Sequence, residues 1–531
     1  MNWKKYESLS PAEKRQEGYY IIGLDLGNDS SGMAFYNPLS NAPEAIDLSG
    51  GYGKPSIPTV MQYISETKEW VFGEYAMLNR GAGSEITLNA LIERLGHFDY
   101  IEIDRRSLSV ASVLALFIKE LLSNVRNINP KAEIVGIVAS VPAYFSEQAN
   151  EELCRAFKLA GYEKELIALV PDRECVLAHY YQTSSPMQEE RILLLDFGAR
   201  ELRGGLYHTT IADGGLFATS LSSLFCDEIG VSKINNDVSN FFGDFVRKEL
   251  VKGRPLNASQ SRQLHENVLA FSYQHKDMLF QKNIRAKPIK MYFNFVYPPF
   301  QQTITNEQVK ALVKPYTRRF NGFMGDVLEK SISETPVLPI DIDAVLCVGG
   351  GFEMLWAKEA VGELFAGARV YFYKNPKMVV CEGAAVVAAR ALNMDSHKDV
   401  DFITIVDTHQ LTCDIGLLNG TDFLPLVERN AFWWQSHSPK LVLINQEVNG
   451  GIELNLCMRT KEGEIQDLTI VQLSGLPPRP KGTTRFEFRL IFVSNNVARL
   501  AVRDMGFGDL FPQTEYEFTM EIRIEDANNC L

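Results

Sequence analysis

YYIIGLDLGNDSSGMAFY, residues 19–36, sets two β-rich runs, 19–24 and 32–36, on either side of the turn-forming Asp-Leu-Gly-Asn-Asp-Ser-Ser. The simplest reading is a β-hairpin with a polar, glycine-containing tip. Gly27 can take the positive φ that such a tip needs. The consecutive amides of Asn28, Asp29 and Ser30 can form an anion-binding concavity. Asp25, ending the first strand, is placed to hold a hydrated divalent cation. Alone this is an ordinary hairpin, and recurrence gives it weight. RILLLDFGARELRGGLY, residues 191–207, repeats the grammar with a strand at 192–195, then Asp196, Gly198 and a second strand. VLCVGGG, residues 345–351, follows another buried strand and opens what reads as a helix over 352–365.

Length and composition narrow the class. A chain of 531 residues holds two to four domains, and 46% apolar residues supply their cores. No run approaches the roughly 18 apolar residues of a membrane span. The net charge of −13, with no basic stripe, argues against a nucleic-acid surface. Residues 1–18 are basic and polar without an apolar centre, so they are no secretory signal. There Ser10, Pro11 and Glu13 spell a capping box for one short surface helix. The cysteines are scattered, without Cys-x-x-Cys or a nearby histidine cluster. They read as reduced, cytoplasmic packing residues rather than a metal centre or disulfide frame.

In chain order, 54–60 is a proline-restricted extended segment, and 107–125 carries apolar residues at the density of a buried helix. Residues 133–141 form a continuous apolar run, as in a strand covered on both faces. A helix capped near Ser146 follows, with Ala149, Leu153, Ala156, Phe157 and Ala160 on one stripe and a stop at Gly161. Strand 166–170 and helix 173–181 lead into the second hairpin, the order of a mixed sheet with crossover helices. Residues 227–333 turn helical and polar around an aromatic, strand-like run at 289–297. The small residues Gly383, Ala384 and Ala385 let helix 382–392 sit close to a loop or ligand. Beyond 407, short runs at 441–444, 452–458, 468–473, 485–492, 497–502 and 516–524 alternate with turn signals, favouring an all-β sandwich.

These stretches resemble the heat-shock 70-kDa (DnaK-type) chaperone family, part of the actin/hexokinase-like ATPase superfamily. The resemblance is carried by IGLDLG (22–27), PSIPTV (55–60), FGEYAMLN (72–79), VPAYFSEQANEELCRAFKLAGY (141–162), LLLDFG (193–198), VGGG (348–351), EGAAVVAA (382–389) and LSGLPPRPKG (473–482). It implies a two-lobed α/β actin-like ATPase domain of duplicated mixed sheets, followed by an all-β sandwich. The corresponding divisions are an N-terminal extension at 1–18, a nucleotide-binding domain at 19–393, a linker at 394–406 and a substrate-binding-like sandwich at 407–531. The family's helical lid has no counterpart after the sandwich.

By that resemblance Asp25 and Asp196 hold the hydration shell of Mg²⁺ bound to ATP or ADP, and Asp172 is the catalytic acid or water-orienting group. Backbone at Gly27, Asn28, Asp29, Gly198 and Ala199 faces the phosphates, and Arg200 can add a direct charge-assisted contact. Gly349, Gly350, Gly351, Glu353 and Lys276 lie at the nucleoside. Phe423, Leu424, Trp433 and Trp434 sit where family members build the peptide groove, which holds extended chains by strand-like bonding and apolar pockets.

Several departures fall on the chemistry. The family's catalytic lysine is replaced by Leu91 in NALIERLG (89–96), and its Glu-Pro becomes Pro171-Asp172. Ala199 and Arg200 replace glycines, Asp29 adds a carboxylate to the first tip, and Glu353 stands for an arginine. Phosphoryl transfer needs developing charge neutralised, and these changes oppose that. Two functions therefore stand. One is a DnaK-like, nucleotide-responsive binder of protein clients, with cochaperones among its partners and slow or absent hydrolysis. The other is a non-catalytic scaffold with a decayed ATP site. A small-molecule kinase of the same superfamily is disfavoured by the sandwich.

Overall fold

The computed structural model describes residues 10, 13, 18–49, 53–78, 86–97, 99–143, 145, 147–212, 215–246, 257–261, 288–291, 300–303, 306–331, 336–392, 402–407, 411, 413–419, 422–429, 431, 438–460, 463–494, 497–508 and 510–523. The chain divides into two units. One comprises Met1–Thr183, Gly214–Ser220 and Val380–Leu531, the other Ser184–Asp213 and Leu221–Val379.

The first hairpin nucleates the first unit. Tyr19–Leu26 and Ser30–Asn37 pair antiparallel, and Tyr19–Leu26 also pairs parallel with Glu133–Val141, which in turn pairs parallel with Leu166–Pro171. Ala42–Ala45 and Ser56–Pro58 both add to Ser30–Asn37. One face of this mixed sheet is covered by Val110–Ser123, whose N-cap Ser109 accepts from the Ser112 amide at 3.2 Å, and by Glu147–Ala160. Leu114, Phe117, Ile118 and Leu121 pack with Leu153 and Phe157 in one core. Each such side chain contributes about 1.5–3 kcal/mol by leaving water. Gly161, at φ +92°, ends the second helix as its sequence implied.

The late helix Val379–Ala391 belongs to this unit as well. Its small residues meet backbone. A Cβ on Gly23 would lie 2.0 Å from the Cys381 carbonyl and 2.1 Å from the Ala385 amide, and one on Gly383 would lie 1.8 Å from the Cys175 carbonyl. The segment Phe402–Asp407 forms a strand parallel to Gly215–Ser220. Near the N-terminus the capping box forms as read, with the Ser10 amide donating to Glu13 at 2.7 Å and the Glu13 amide to Ser10 Oγ at 3.4 Å.

Two four-stranded antiparallel sheets make up the β-rich part. One runs Asp422–Val427, Asp414–Asn419, Gly451–Arg459, Ile465–Ser474, and the other Lys440–Ile444, Thr484–Ser494, Val497–Asp504, Glu517–Arg523. All six expected strands are present. The hairpin of Asp414–Asn419 and Asp422–Val427 was hidden by Gly416 and Pro425, residues that ordinarily argue against a strand. Pro425 is accommodated because its strand lies at the sheet edge. Arg479, from the LSGLPPRPKG stretch, is buried against Asp504 in a two-pronged ion pair at 2.7 Å. Asp504 also accepts from the amides of Gly506 and Thr514 and from the Thr514 hydroxyl.

In the second unit, Arg369–Phe372, Ala344–Val348, Glu189–Phe197 and Leu202–Ala212 follow one another across a sheet, the last pair being the expected second hairpin. Helix Asn306–Glu329 packs on it, because Gly204 leaves room for Phe323 and Val327. Of the aromatic run at 289–297, the described part pairs as Pro288–Met291 with Phe300–Thr303. Among the described residues no helix is long and apolar enough to cross a membrane.

The Asp504 clasp gives a stability prediction. Burial raises its carboxyl pKa, but the bonds from Arg479, Gly506 and Thr514 outweigh burial and hold it below the usual range. Its contribution is therefore complete above the unfolded value of about 3.9 and is lost as pH falls through the depressed folded value. Asp504→Ala strands the buried guanidinium and lowers unfolding free energy by about 3–5 kcal/mol in urea titrations at neutral pH. A loss below about 1 kcal/mol, the level of an exposed pair, would show the clasp to be dispensable.

Candidate functional site

Each unit carries candidate residues of its own, at the carboxyl ends of parallel strands, where open α/β sheets place ligands. In the first, strand register sets Asp25 opposite Ser140 and Val141 opposite Pro171. Asp25, Ser140 and Asp172 thereby come to one edge. Ser140 Oγ donates to Asp25 Oδ1 at 2.8 Å and orients that carboxylate. Asp172 opens the helix Asp172–Thr183, and its Oδ1 accepts the Arg173 amide at 2.7 Å, a carboxylate on the positive helix end. Behind the edge lie Cys175 and Cys381. Burial first, then the nearby carboxylates including Asp25, push both thiols well above their ordinary range, so they stay protonated and inert.

The tip of the first hairpin is tightly held. A Cβ on Gly27 would come 2.4 Å from the Ser30 carbonyl. The Asp29 carbonyl accepts the Thr59 amide at 2.9 Å, and the Ser31 and Thr59 hydroxyls are 2.8 Å apart. Asn28 is clasped from both sides by Glu93. Its Nδ2 donates to Glu93 Oε1 at 3.1 Å, and its Oδ1 accepts the Glu93 amide, also at 3.1 Å. Glu93 belongs to the short 3₁₀ turn Ile92–Arg94 that follows Ala90, a non-glycine residue at φ +53°. Leu91 is fully buried in the apolar core, and the neighbouring Arg94 bonds Asp99 through Nε at 2.7 Å. The place implied for a lysine is thus hydrocarbon.

In the second unit, Asp196 sits opposite Val348, and the glycine loop follows directly. Gly349, at φ +87°, passes so near that a Cβ would lie 2.5 Å from Asp196 Oδ1 and 2.6 Å from the Phe197 carbonyl. Gly351 rests on the Phe197 ring, itself within a cluster of Phe320, Phe352 and Trp356. The loop does not open a helix directly. It turns through Gly350–Glu353, Met354 is extended, and the helix begins at Leu355–Leu364, because the fully buried Phe352 anchors the turn. Glu353 pairs with Lys377 at 3.7 Å, and the Lys377 stem lies against Gly350.

The second hairpin's turn is largely satisfied by its own surroundings. The Gly198 amide donates to the Glu201 carbonyl at 3.0 Å, and the Gly198 and Ala199 carbonyls accept from Val231 and Ser232 at 3.2 and 2.7 Å. Those two donors open the helix Val231–Val246. The Arg200 carbonyl packs on Gly230, and Glu201 pairs with Arg203 at 2.5 Å.

Taken unit by unit, Asp25 and Asp196 are each a carboxylate of the kind that can hold a cation through its waters, and the glycine loop of the second unit suits close backbone approach. Among the described residues no group of three His, Cys, Asp or Glu could hold a bare metal ion. The charges suit a triphosphate poorly: Leu91 brings no cation, and Glu93 brings a carboxylate to the tip.

In the β-rich part, Arg459 lies 4.5 Å over the Phe423 ring while bonding Asp414 at 2.9 and 2.8 Å, and the ring crosses the face of Gly416. Leu424 is half-buried opposite Leu417. Trp433, Trp434, Lys276 and Ser146 lie outside the described residues. Ser140, Glu93, Lys377 and Arg459 escaped the sequence reading. Only Ser140 had a signal, its place one residue before the VPAYF motif, since the others depend on contacts between distant segments.

The C-terminal model of a family of unknown function (DUF5716) matches residues 42–207, and a domain of unknown function (DUF8552) matches residues 413–524. The chain is also similar to the chaperone protein DnaK of Thermosipho africanus, at 23% identity over 498 residues covering 92% of this chain and 78% of that one. Against the chaperone protein DnaK of Thermotoga maritima the identity is 23% over 503 residues, covering 94% and 80%. Distant homology to DnaK chaperones therefore extends over most of the chain.

The Gly349 contact sets a test of this loop. Gly349→Ala forces a Cβ onto Asp196 at a left-handed φ and costs about 1–3 kcal/mol. Thermal unfolding should record the loss. Unchanged stability would mean that the loop has room the close approach denies.

Proposed function

We propose that this protein is a DnaK-like client-binding protein in which an adenine-nucleotide cleft of weak or absent hydrolysis governs a β-sandwich that holds extended segments of other proteins. In this reading the nucleotide domain spans 19–393, the linker 394–406 and the sandwich 407–531. The carrying observation is the parallel pairing of Phe402–Asp407 with Gly215–Ser220. That strand leads into the sandwich, and its partner Gly215–Cys226 runs on into the unit bearing Asp196. A bias at one end of such a ladder is transmitted to the other, which is what coupling between two sites requires.

Bound Mg²⁺ would neutralise phosphate charge. Asp25, oriented by Ser140, and Asp196 would hold its waters, while Gly349–Gly351 backbone would border the nucleoside. Asp172 bonds the Arg173 amide at the start of its helix and Leu91 stands where the resemblance implies a lysine, which supports slow or absent turnover. The low-reactivity thiols suit a reducing, cytoplasmic setting. Glu93 at the tip favours a second reading, a scaffold whose nucleotide site has decayed.

Thermal unfolding with Mg·ADP and Mg·ATP separates the two. Binding at 100 times Kd stabilises the native state by about 2.7 kcal/mol, and Asp25→Ala should abolish the shift. Replacing both Thr404 and Ile405 by proline removes two successive amides of this edge strand, one of which must face Gly215–Ser220, and should leave client affinity intact while making it indifferent to nucleotide. No shift at millimolar nucleotide would leave only the scaffold.

A further inference from the structure

We infer that the second half of the strand Ile465–Ser474 is a docking edge, which takes an extended, basic segment of a partner polypeptide as a further strand of its sheet. This edge lies across the sheet from the Asp422–Val427 strand that bears Phe423 and Leu424, and the inference stands whether or not the nucleotide reading holds.

Two open sheets leave four edge strands, each with a row of backbone donors and acceptors that a second chain can pair. Three are blunted. Asp422–Val427 carries Pro425, which has no amide to offer. Lys440–Ile444 is short and opens on a lysine, and Glu517–Arg523 carries Glu517, Glu521 and Arg523. The fourth, Ile465–Ser474, pairs with Gly451–Arg459 and, among the described residues, with no strand on its other side. Its protection is confined to its start, where Asp467 stands and the register shifts between Leu456 and Cys457 of the neighbouring strand. From Thr469 to Leu473 the pairing is regular, without charge or proline. At Ser474 the edge closes, because the backbone there is hydrogen-bonded to Tyr516. Val471 and Leu473 are buried, whereas Ile470 is 55% exposed on the outer face.

The chemistry of the edge selects its occupant. A row of amides and carbonyls is matched by another extended backbone, which supplies affinity, while an apolar side chain beside Ile470 supplies register. The stretch 449–476 holds Glu453, Glu462, Glu464 and Asp467 against Arg459 and Lys461. Arg459 is engaged with Asp414, and Glu453 accepts from Gln472 at 2.9 Å, a neutral partner that leaves its charge in place. The surroundings are therefore acidic and attract lysine or arginine in the incoming segment. A second copy of this chain brings the same acids and a net charge of −13, and is repelled where a basic segment is drawn in.

Fluorescence anisotropy of the full chain with a labelled peptide of about ten residues, alternating valine and threonine between pairs of lysines, tests this. Hydrogen exchange locates the bound peptide. The expected result is saturable binding that weakens as ionic strength rises, with slowed exchange of amides within 469–473. Proline at alternate positions of the peptide should weaken binding at least about tenfold, because it removes ladder amides. Ile470→Lys, at an exposed side chain, should leave the unfolding temperature unchanged and weaken binding about tenfold or more, since it deletes the apolar cross-strand contact and opposes the peptide's charge. Equal binding by Ile470→Lys, or slowed exchange within 414–427 in place of the edge, overturns the inference. So does the absence of binding at about 1 mM peptide. Self-association that protects 469–473 without peptide assigns the edge to a second copy and overturns the basic partner.

Discussion

The backbone-to-backbone contact between the first strand and the helix Val379–Ala391 is the constraint on which the first unit depends. Gly23 meets the Cys381 carbonyl and the Ala385 amide, while Gly383 meets the Cys175 carbonyl. Any side chain at either glycine would part the strand, the late helix and the helix Asp172–Thr183. This junction brings residues more than 350 positions apart in sequence into one layer. It also sets the height of the sheet edge on which Asp25 and Asp172 stand. Close-packed interiors transmit such a constraint because they have no slack to absorb it.

The two aspartate hairpins share one plan and differ in how their loops are satisfied. Each uses a parallel strand ending in aspartate, Asp25 or Asp196, next to a hairpin turn. In the first, the tip is bound by Thr59 and Glu93, each through its backbone amide and its side chain. In the second, it is bound by backbone, through Glu201, Val231 and Ser232. Amides and carbonyls so engaged are firm but less available to a ligand. Under the proposed function such a plan would weaken the electrostatics on which catalysis of phosphoryl transfer chiefly depends.

Fixed ion pairs recur at the β-rich end. Arg459 stacks on Phe423 while anchored to Asp414, and Arg479 is buried on Asp504. The first changes the character of the proposed client surface, since Phe423 presents a ring already covered by a guanidinium. The second ties the motif LSGLPPRPKG to the loop before the last strand, a structural reason for an arginine in an otherwise apolar sandwich.

Much of this was legible in the sequence because periodicity and turn chemistry are local. The apolar run at 133–141 and the stripe Ala149, Leu153, Ala156, Phe157 and Ala160 reached the structure almost unchanged, as did both aspartate hairpins and six sandwich strands. The hairpin at 414–427 was concealed because Gly416 and Pro425 are permitted there only by a ring lying across the sheet and by an unpaired edge. The helix thought to begin at Phe352 starts later because a buried ring holds the preceding turn. The sequence by itself determined which segments are strands and helices, and that two carboxylates end two of those strands. Only the tertiary structure decided that Glu93 would clasp Asn28, that Leu91 would be core and that Lys377 would cover Gly350. Those outcomes depend on contacts between segments far apart in the chain, which no local pattern encodes.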